Sequence, residues 1–172
     1  MDFLEVVNSR HSIRVFTSRK IEPEKEHLIL EAASYAPSAG NLQAYEIVAV
    51  SNRQALKAIS EAADDQESVE HAQLVLVFCA HPARTAKAHG QRGKTLYCIQ
   101  DATIACAYAQ LAATSLGLAS VWVGHFDEDR VRAAIGAGAD LRPISLLPIG
   151  YAGMQPQATT RRPVQDLVHY IK

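Results

Sequence analysis

Arg10-His11-Ser12-Ile13-Arg14 sets two guanidiniums, an imidazole and a hydroxyl within five consecutive positions. Arginine offers a rigid planar fork of N–H donors that matches phosphate or carboxylate, and serine adds a short donor beside it. Ile13, Val15 and Phe16 supply the apolar anchor that would fix such a segment at the edge of a core. The chemistry available here is the holding of an anion. Taken alone, the same pentapeptide also reads as a solvated basic surface segment. Other chemistries find less support. His11-Ser12 lacks the Gly-x-Ser-x-Gly turn of a serine nucleophile. None of the seven histidines belongs to a His-Glu-x-x-His pattern or an i, i+4 helical pair, so no metal site is expected. Gly136-Ala137-Gly138 has neither the third glycine nor the preceding strand of a dinucleotide-binding fingerprint.

Composition bounds what could carry such a clamp. Residues 1–172 suit one domain with a core of its own, and 48% apolar and 20% charged residues are ordinary globular values. A formal net charge of −1 leaves no basic footprint for nucleic acid and no polybasic membrane patch. Asp2 and Glu5 stand where a secretory leader needs a basic flank, so none is expected. The apolar region from Leu96 to Val123 is interrupted by Gln100, Asp101, Gln110 and Ser115, which argues against a membrane span. Cys79, Cys98 and Cys106 form no Cys-x-x-Cys pair and cannot all be bridged, so a reducing, cytoplasmic location is expected.

The elements that must position the clamp follow from periodicity. Phe3, Val6 and Val7 predict a short amphipathic helix over Asp2–Ser9. Pro23, with Glu24 and Glu26 in the first turn, opens a second helix that Pro37 ends. Residues 37–41 read as a loop. Glu46–Val50 is a candidate strand, and Asn52 caps a helix carrying Leu56 and Ile59. Leu74–Cys79 is a continuous apolar run, the pattern of a strand covered on both faces. His81–Gly93 is polar, basic and glycine-containing, and is expected to be the most mobile segment, with His81 and His89 solvated. Thr95–Leu116 predicts a central helix, buried nearly all round and closed by Gly117. Ala119–Val123 is the next strand, Asp127 caps a further helix, and Ile144–Ile149 is a last strand whose Pro148 suggests an edge or irregular pairing. The tail, about residues 154–172, has too few apolar residues for a core and is expected to pack on another surface such as a partner subunit. The class is α+β or irregular α/β, in one domain.

From Arg10 to Phe16 the sequence resembles the opening of the nitroreductase family of flavin enzymes. The resemblance continues through Ala32-Ala33, Ala36–Gln43, Tyr97 with Gln100-Asp101-Ala102, Leu116–Gly124, Leu147–Tyr151, Arg161-Arg162-Pro163 and Val168-His169-Tyr170. It covers nearly the whole chain. It implies an α+β fold with a mixed sheet flanked by helices, an intertwined homodimer, and an FMN in each of two sites between the subunits. Arg10, His11 and Ser12 would hold the FMN phosphate and ribityl chain, with Arg161 returning from the tail and Arg162 assisting. Arg14 would lie by the pyrimidine edge of the flavin ring, where a cation favours reduction. Pro37, Ser38, Ala39 and Asn41 would come from the other subunit, with Gln43 behind them. Near Val123-Gly124 a backbone N–H would point at flavin N5, and no side chain would be an essential acid or base.

The implied activity is an FMN-dependent oxidoreductase passing hydride from NADH or NADPH to a nitroaromatic, quinone or similar electron-poor small molecule by ping-pong turnover. A nicotinamide nucleotide would enter transiently, and Arg84, Lys87, Arg92 and Lys94 could receive its phosphates. The other readings are a flavin-binding or flavin-storage protein without turnover, a superfamily member with a specialised acceptor, and an anion-binding module without flavin. The sequence departs from the family pattern in three places. Ala44-Tyr45 replaces a common Pro-Trp, and Asp65-Gln66 stands where an Asn-Gln might contact the flavin. His125 follows Gly124, where it could donate a proton to substrate or cap the next helix.

Overall fold

The computed structural model describes residues 1–157 and 159–171, so Ala158 and Lys172 of the tail lie outside the described residues. α1 (Phe3–Ser9) opens with a capping box between Asp2 and Glu5. α2 (Pro23–Ser34) begins at its proline. β1 (Tyr45–Val50) leads into α3 (Arg53–Ala62), capped by the Asn52 side chain, and then α4 (Glu67–Glu70). β2 (Leu74–Ala80), α5 (Pro82–Arg92) and α6 (Cys98–Ser115) follow. The chain then runs through β3 (Ala119–Ser120), α7 (Glu128–Ala134) with Asp127 as cap, and β4 (Arg142–Gly150).

The sheet order is β1-β2-β4-β3, and every pair of strands is antiparallel. The parallel component that the family resemblance implied is reduced to one bridge, Ser12 to Ser120. Successive side chains of a strand point to opposite faces, which explains the unbroken apolar run of β2. Leu74, Leu76, Phe78 and Ala80 face α2 and α6; Val75, Val77 and Cys79 face α3 and α7. The class is α+β, with a helical layer on each face of the sheet.

Several expectations need correction. Residues 81–93 are not a mobile loop: Pro82–Arg92 form α5, bent where Gly90 takes φ 56°, and Gly93–Tyr97 continue as a π-turn into α6. Proline at the first turn and Ala83, Ala86 and Ala88 favour helix, a signal outweighed in the sequence by polarity. His81 and His89 are partly buried rather than solvated. The strand expected over 119–123 ends at Ser120, with Val123 rejoining Leu146 through a single bridge. Pro148 lies in an interior strand opposite Val75, and β4 accommodates irregularity elsewhere, by a bulge between the Phe78 and Cys79 partners.

α6 is buried along one stripe, through Asp101, Ala102, Ala105, Cys106 and Ala109. Its other side, with Ile104 and Tyr108, is only partly covered, a departure from the fully buried helix expected. Exposed Phe3, Leu4 and Val7 of α1, and Val164, Leu167, Tyr170 and Ile171 of the tail, add to the apolar surface that this chain leaves open.

Candidate functional site

The segment from Arg10 to Phe16 is stitched along the sheet edge. Ile13 N donates to Ser120 O at 3.0 Å, and Gly153 N donates to Val15 O at 2.8 Å. Gly150 leaves room for the Phe16 ring: a Cβ there would lie 3.0 Å from Phe16 Cδ1. In this extended geometry alternate side chains share a side. Arg10, Ser12 and Arg14 therefore line one recess of about 300 Å³, together with Met154, Gln157, Thr159 and Arg161. His11 faces away, lining a separate cleft with Ser9, Ile13 and Thr114, so its imidazole does not join the clamp. Arg161 lines the recess, oriented by bonds from Nη1 to Thr159 Oγ1 at 2.7 Å and Thr160 O at 3.0 Å. Arg162 does not: its Nη2 donates to Asp166 O at 2.7 Å.

Among the described residues, none of Arg10, Arg14 and Arg161 forms an ion pair with a carboxylate. Three guanidiniums and a hydroxyl converge on one recess as donors, and a multiply charged anion would relieve their mutual repulsion.

The Pro37–Gln43 loop lies elsewhere. Pro37, Ser38 and Ala39 line a cavity of about 500 Å³ with Tyr97, Ile99, Gln100, Asp101 and Ile104, and it shares no lining residue with the arginine recess. The loop is conformationally demanding. Gly40, Asn41 and Gln43 take φ of 59°, 56° and 43°, and for non-glycine residues the left-handed region is unfavourable. Its ties explain how it persists. Gln43 N donates to Ser38 Oγ at 3.0 Å, and Gln43 Nε2 reaches Asn41 Oδ1 at 2.6 Å. Ala39 N and Ala44 N both donate to the buried Asp101 carboxylate. From outside, Arg84 Nη1 donates to Gln43 O at 2.8 Å, and His89 packs against Gly40.

Asp101 and Arg84 have structural roles here that the sequence reading did not assign. An acid in an alanine-rich apolar helix was the available signal for the first. Ala44-Tyr45 is accommodated by Tyr45 OH donating to Ala33 O at 3.1 Å; burial, followed by the nearby Asp101 charge, raises the Tyr45 pKa.

Of the four cations between residues 84 and 94, Arg84 is engaged internally, with Glu46 and the loop. Arg92 lies over Tyr97, its carbon 5.6 Å from the ring centroid and its Nε donating to Tyr97 OH at 3.2 Å. That places it beside the cavity that Tyr97 lines. Lys87 and Lys94 are exposed.

Val123 and Gly124 divide in role. Val123 is buried and its N–H is taken by Leu146 O at 2.9 Å, so it is not free for a ligand. Gly124 is exposed, and the nearest atom to a Cβ built on it is Trp122 Nε1 at 3.5 Å. His125 does not cap α7; Asp127 does. His125 Nε2 instead pairs with Asp64 Oδ2 at 2.8 Å on the open surface. The cysteines offer no redox site: all three are free and buried, and burial pushes Cys79 and Cys106 up to about 12. Among the described residues no group of His, Cys, Asp and Glu could hold a metal ion, and no helix is long and apolar enough to cross a membrane.

The nitroreductase family model matches residues 7–151. The NADH dehydrogenase of Thermus thermophilus is 31% identical over 186 residues, covering 92% of this chain and 91% of that one. A nitroreductase family protein from Clostridium difficile superposes with a TM-score of 0.89 at 31% identity, over 100% of this chain and 99% of that one. The NADPH:FMN oxidoreductase of Vibrio harveyi, solved with NAD+, gives a TM-score of 0.89 at 27% identity, over 98% and 76% of the two chains.

Proposed function

The chain belongs to the nitroreductase family, and on that premise we propose that two copies share two flavin sites. Each site would take Arg10, Ser12, Arg14 and Arg161 from one subunit and the Pro37–Gln43 loop from the other. The protein is an FMN-dependent oxidoreductase that uses NAD(P)H. The observation that carries the site assignment is the donor set: three guanidiniums and Ser12 around one recess, with no carboxylate ion pair to those arginines among the described residues. That set fits the phosphate of FMN. The separate cavity, walled by Pro37, Tyr97, Ile99 and Ile104, suits a flat ring. The open side of α6, α1 and the apolar residues of the tail give a second copy a surface to cover, and the tail is assigned to that interface.

The chemistry supplied by bound FMN is hydride acceptance and return at N5 of its ring. Arg10, Ser12 and Arg161 hold the phosphate. Arg14 places a cation where negative charge would accumulate on reduction. Gly124, lacking a side chain, allows main chain to approach the ring closely. Arg92, held on Tyr97, receives a phosphate of the nicotinamide nucleotide. Turnover is ping-pong: the nucleotide reacts and leaves before an electron-poor acceptor, a nitroaromatic or quinone, takes its place. Three unbridged cysteines support a cytoplasmic location.

The test is direct. The purified protein should be yellow or take up FMN, NADH or NADPH should bleach it anaerobically, and a quinone should restore the colour. A protein that ignores added FMN, or a bound flavin that neither nucleotide reduces, overturns the proposal.

A further inference from the structure

Asp101 is 2% exposed, and among the described residues no cation pairs with it. Its two oxygens are used separately: Oδ1 accepts from Ala39 N at 2.9 Å and Oδ2 from Ala44 N at 3.3 Å. Those two amides flank the left-handed residues Gly40, Asn41 and Gln43. A carboxylate can accept both N–H groups at once because it has no donor of its own. Asparagine has nearly the same shape but must turn an NH2 toward one of the amides, donor against donor. The tie therefore depends on having two acceptors and not on volume, and it fixes the ends of a loop whose middle is unfavourable by itself.

We propose that Asp101 is a positioning residue acting in trans: buried in one subunit, it shapes the Ser38–Gln43 loop that completes the flavin site of the other. This rests on the shared-site reading above. Its physical basis is the separation within one chain of the loop cavity, which Asp101 lines, from the arginine recess.

The experiment uses Asp101→Asn in homodimers and in mixed dimers whose other subunit carries Arg10→Ala, purified through two different tags. In ligand-free Asp101→Asn protein, amide exchange at Ala39 and Ala44 should quicken. FMN should bind its homodimer about ten-fold more weakly, the scale of one lost charge-assisted hydrogen bond. Mixed dimers should regain one tight FMN site of wild-type affinity, because both defects fall on the same site and leave the other intact.

Two weakened sites in the mixed dimer would show that Asp101 acts within its own chain, and would overturn the proposal. Unchanged exchange at both amides would overturn it as well, whatever FMN does. Gly40→Ala covers the case in which Asp101→Asn fails to fold. It forces a side chain onto φ 59° and brings a Cβ to 3.0 Å from His89 Nε2, disturbing the same loop without touching the buried carboxylate. It should give the same one-site complementation with Arg10→Ala, and its absence would count against the proposal. A wild type that binds no FMN overturns the shared-site reading itself. Exchange at Ala39 and Ala44 then still decides whether Asp101 holds the loop.

Discussion

The arginine recess and the 37–43 loop solve opposite problems. At the recess, the arginines have no carboxylate ion pair among the described residues, and they are carried by an extended segment that the sheet edge and Phe16 hold in place. At the loop the charges turn inward. Asp101 and Arg84 bind main chain, and Gln43 ties Ser38 and Asn41 within the loop. On the proposed assignment the first region would recognise through electrostatics, and the second through backbone shape. The contrast teaches that a lost side chain should act differently in the two places: at the recess on ligand affinity directly, at the loop through conformation.

Arg10→Ala should break the recess most. Losing one charge-assisted contact worth about 1.5–3 kcal/mol predicts roughly 10- to 150-fold weaker FMN binding, with little change in Tm. Fluorescence titration measures it, and the loss should shrink as salt rises because exposed charges are screened. A salt-independent loss would place Arg10 with the loop's kind of contact instead.

Arg92→Ala tests the boundary between the regions, since its guanidinium stands on Tyr97 beside the loop's cavity. Steady-state kinetics should show KM for the nicotinamide nucleotide raised about five- to ten-fold at nearly unchanged kcat, as for a uniform binding contact to phosphate. An effect on kcat alone would make Arg92 part of the loop's support.

The two regions were unequally legible in sequence. Arg10, Ser12, Arg14 and Arg161 could be read because a phosphate site needs particular residue types, and types are what a sequence displays. Even there, the extended pairing of Ser12 with Ser120 decides that His11 points away, and pairing is a tertiary fact. The helices with caps or apolar periodicity, α1, α2, α3 and α7, came through for the same reason. The loop was visible over residues 37–41 in its small, turn-rich composition, and its extension to Gln43 and its place in the site came only through family resemblance. Its structure depends on left-handed dihedrals at Asn41 and Gln43 and on an aspartate 57 positions beyond Ala44. α5 was hidden because its composition is polar while its stability comes from packing: Gly93 sits so close to His89 and Thr85 that a Cβ would lie 2.8 Å from each.

Arg84→Ala sharpens the loop side. Arg84 donates to Gln43 O and pairs with Glu46, but it is partly exposed, and Asp101 still holds both ends of the loop. FMN affinity should fall only about two- to three-fold, in line with a solvent-screened tie of a few tenths of a kcal/mol. Unlike Arg10→Ala, the loss should appear in the partner's site when mixed dimers are titrated. A loss as large as that of Arg10→Ala would mean that the outer tie, not the buried one, governs the loop.

The smallest effect lies along the segment after Phe16, which is fastened by half-exposed charges. Tyr151 OH donates to Glu22 Oε2 at 2.6 Å, Arg19 Nη2 donates to Glu22 Oε1 at 2.7 Å, and Lys25 Nζ donates to Tyr151 OH at 2.9 Å. The hydrogen bonds from Tyr151, then Arg19, hold the Glu22 carboxyl at about 2 against an ordinary 4.5. A folded-state value below the unfolded one means that folding favours the ionised form. The stabilisation is therefore complete above pH 4.5 and is lost as pH falls through about 2. Because the cluster is open to solvent, its contribution is modest and salt-sensitive. Thermal melts of wild type and Glu22→Gln should differ slightly at neutral pH and converge toward pH 2. Curves that stay parallel to the lowest pH would mean that Glu22 fastens the segment by shape alone, as the loop is fastened, and not by charge.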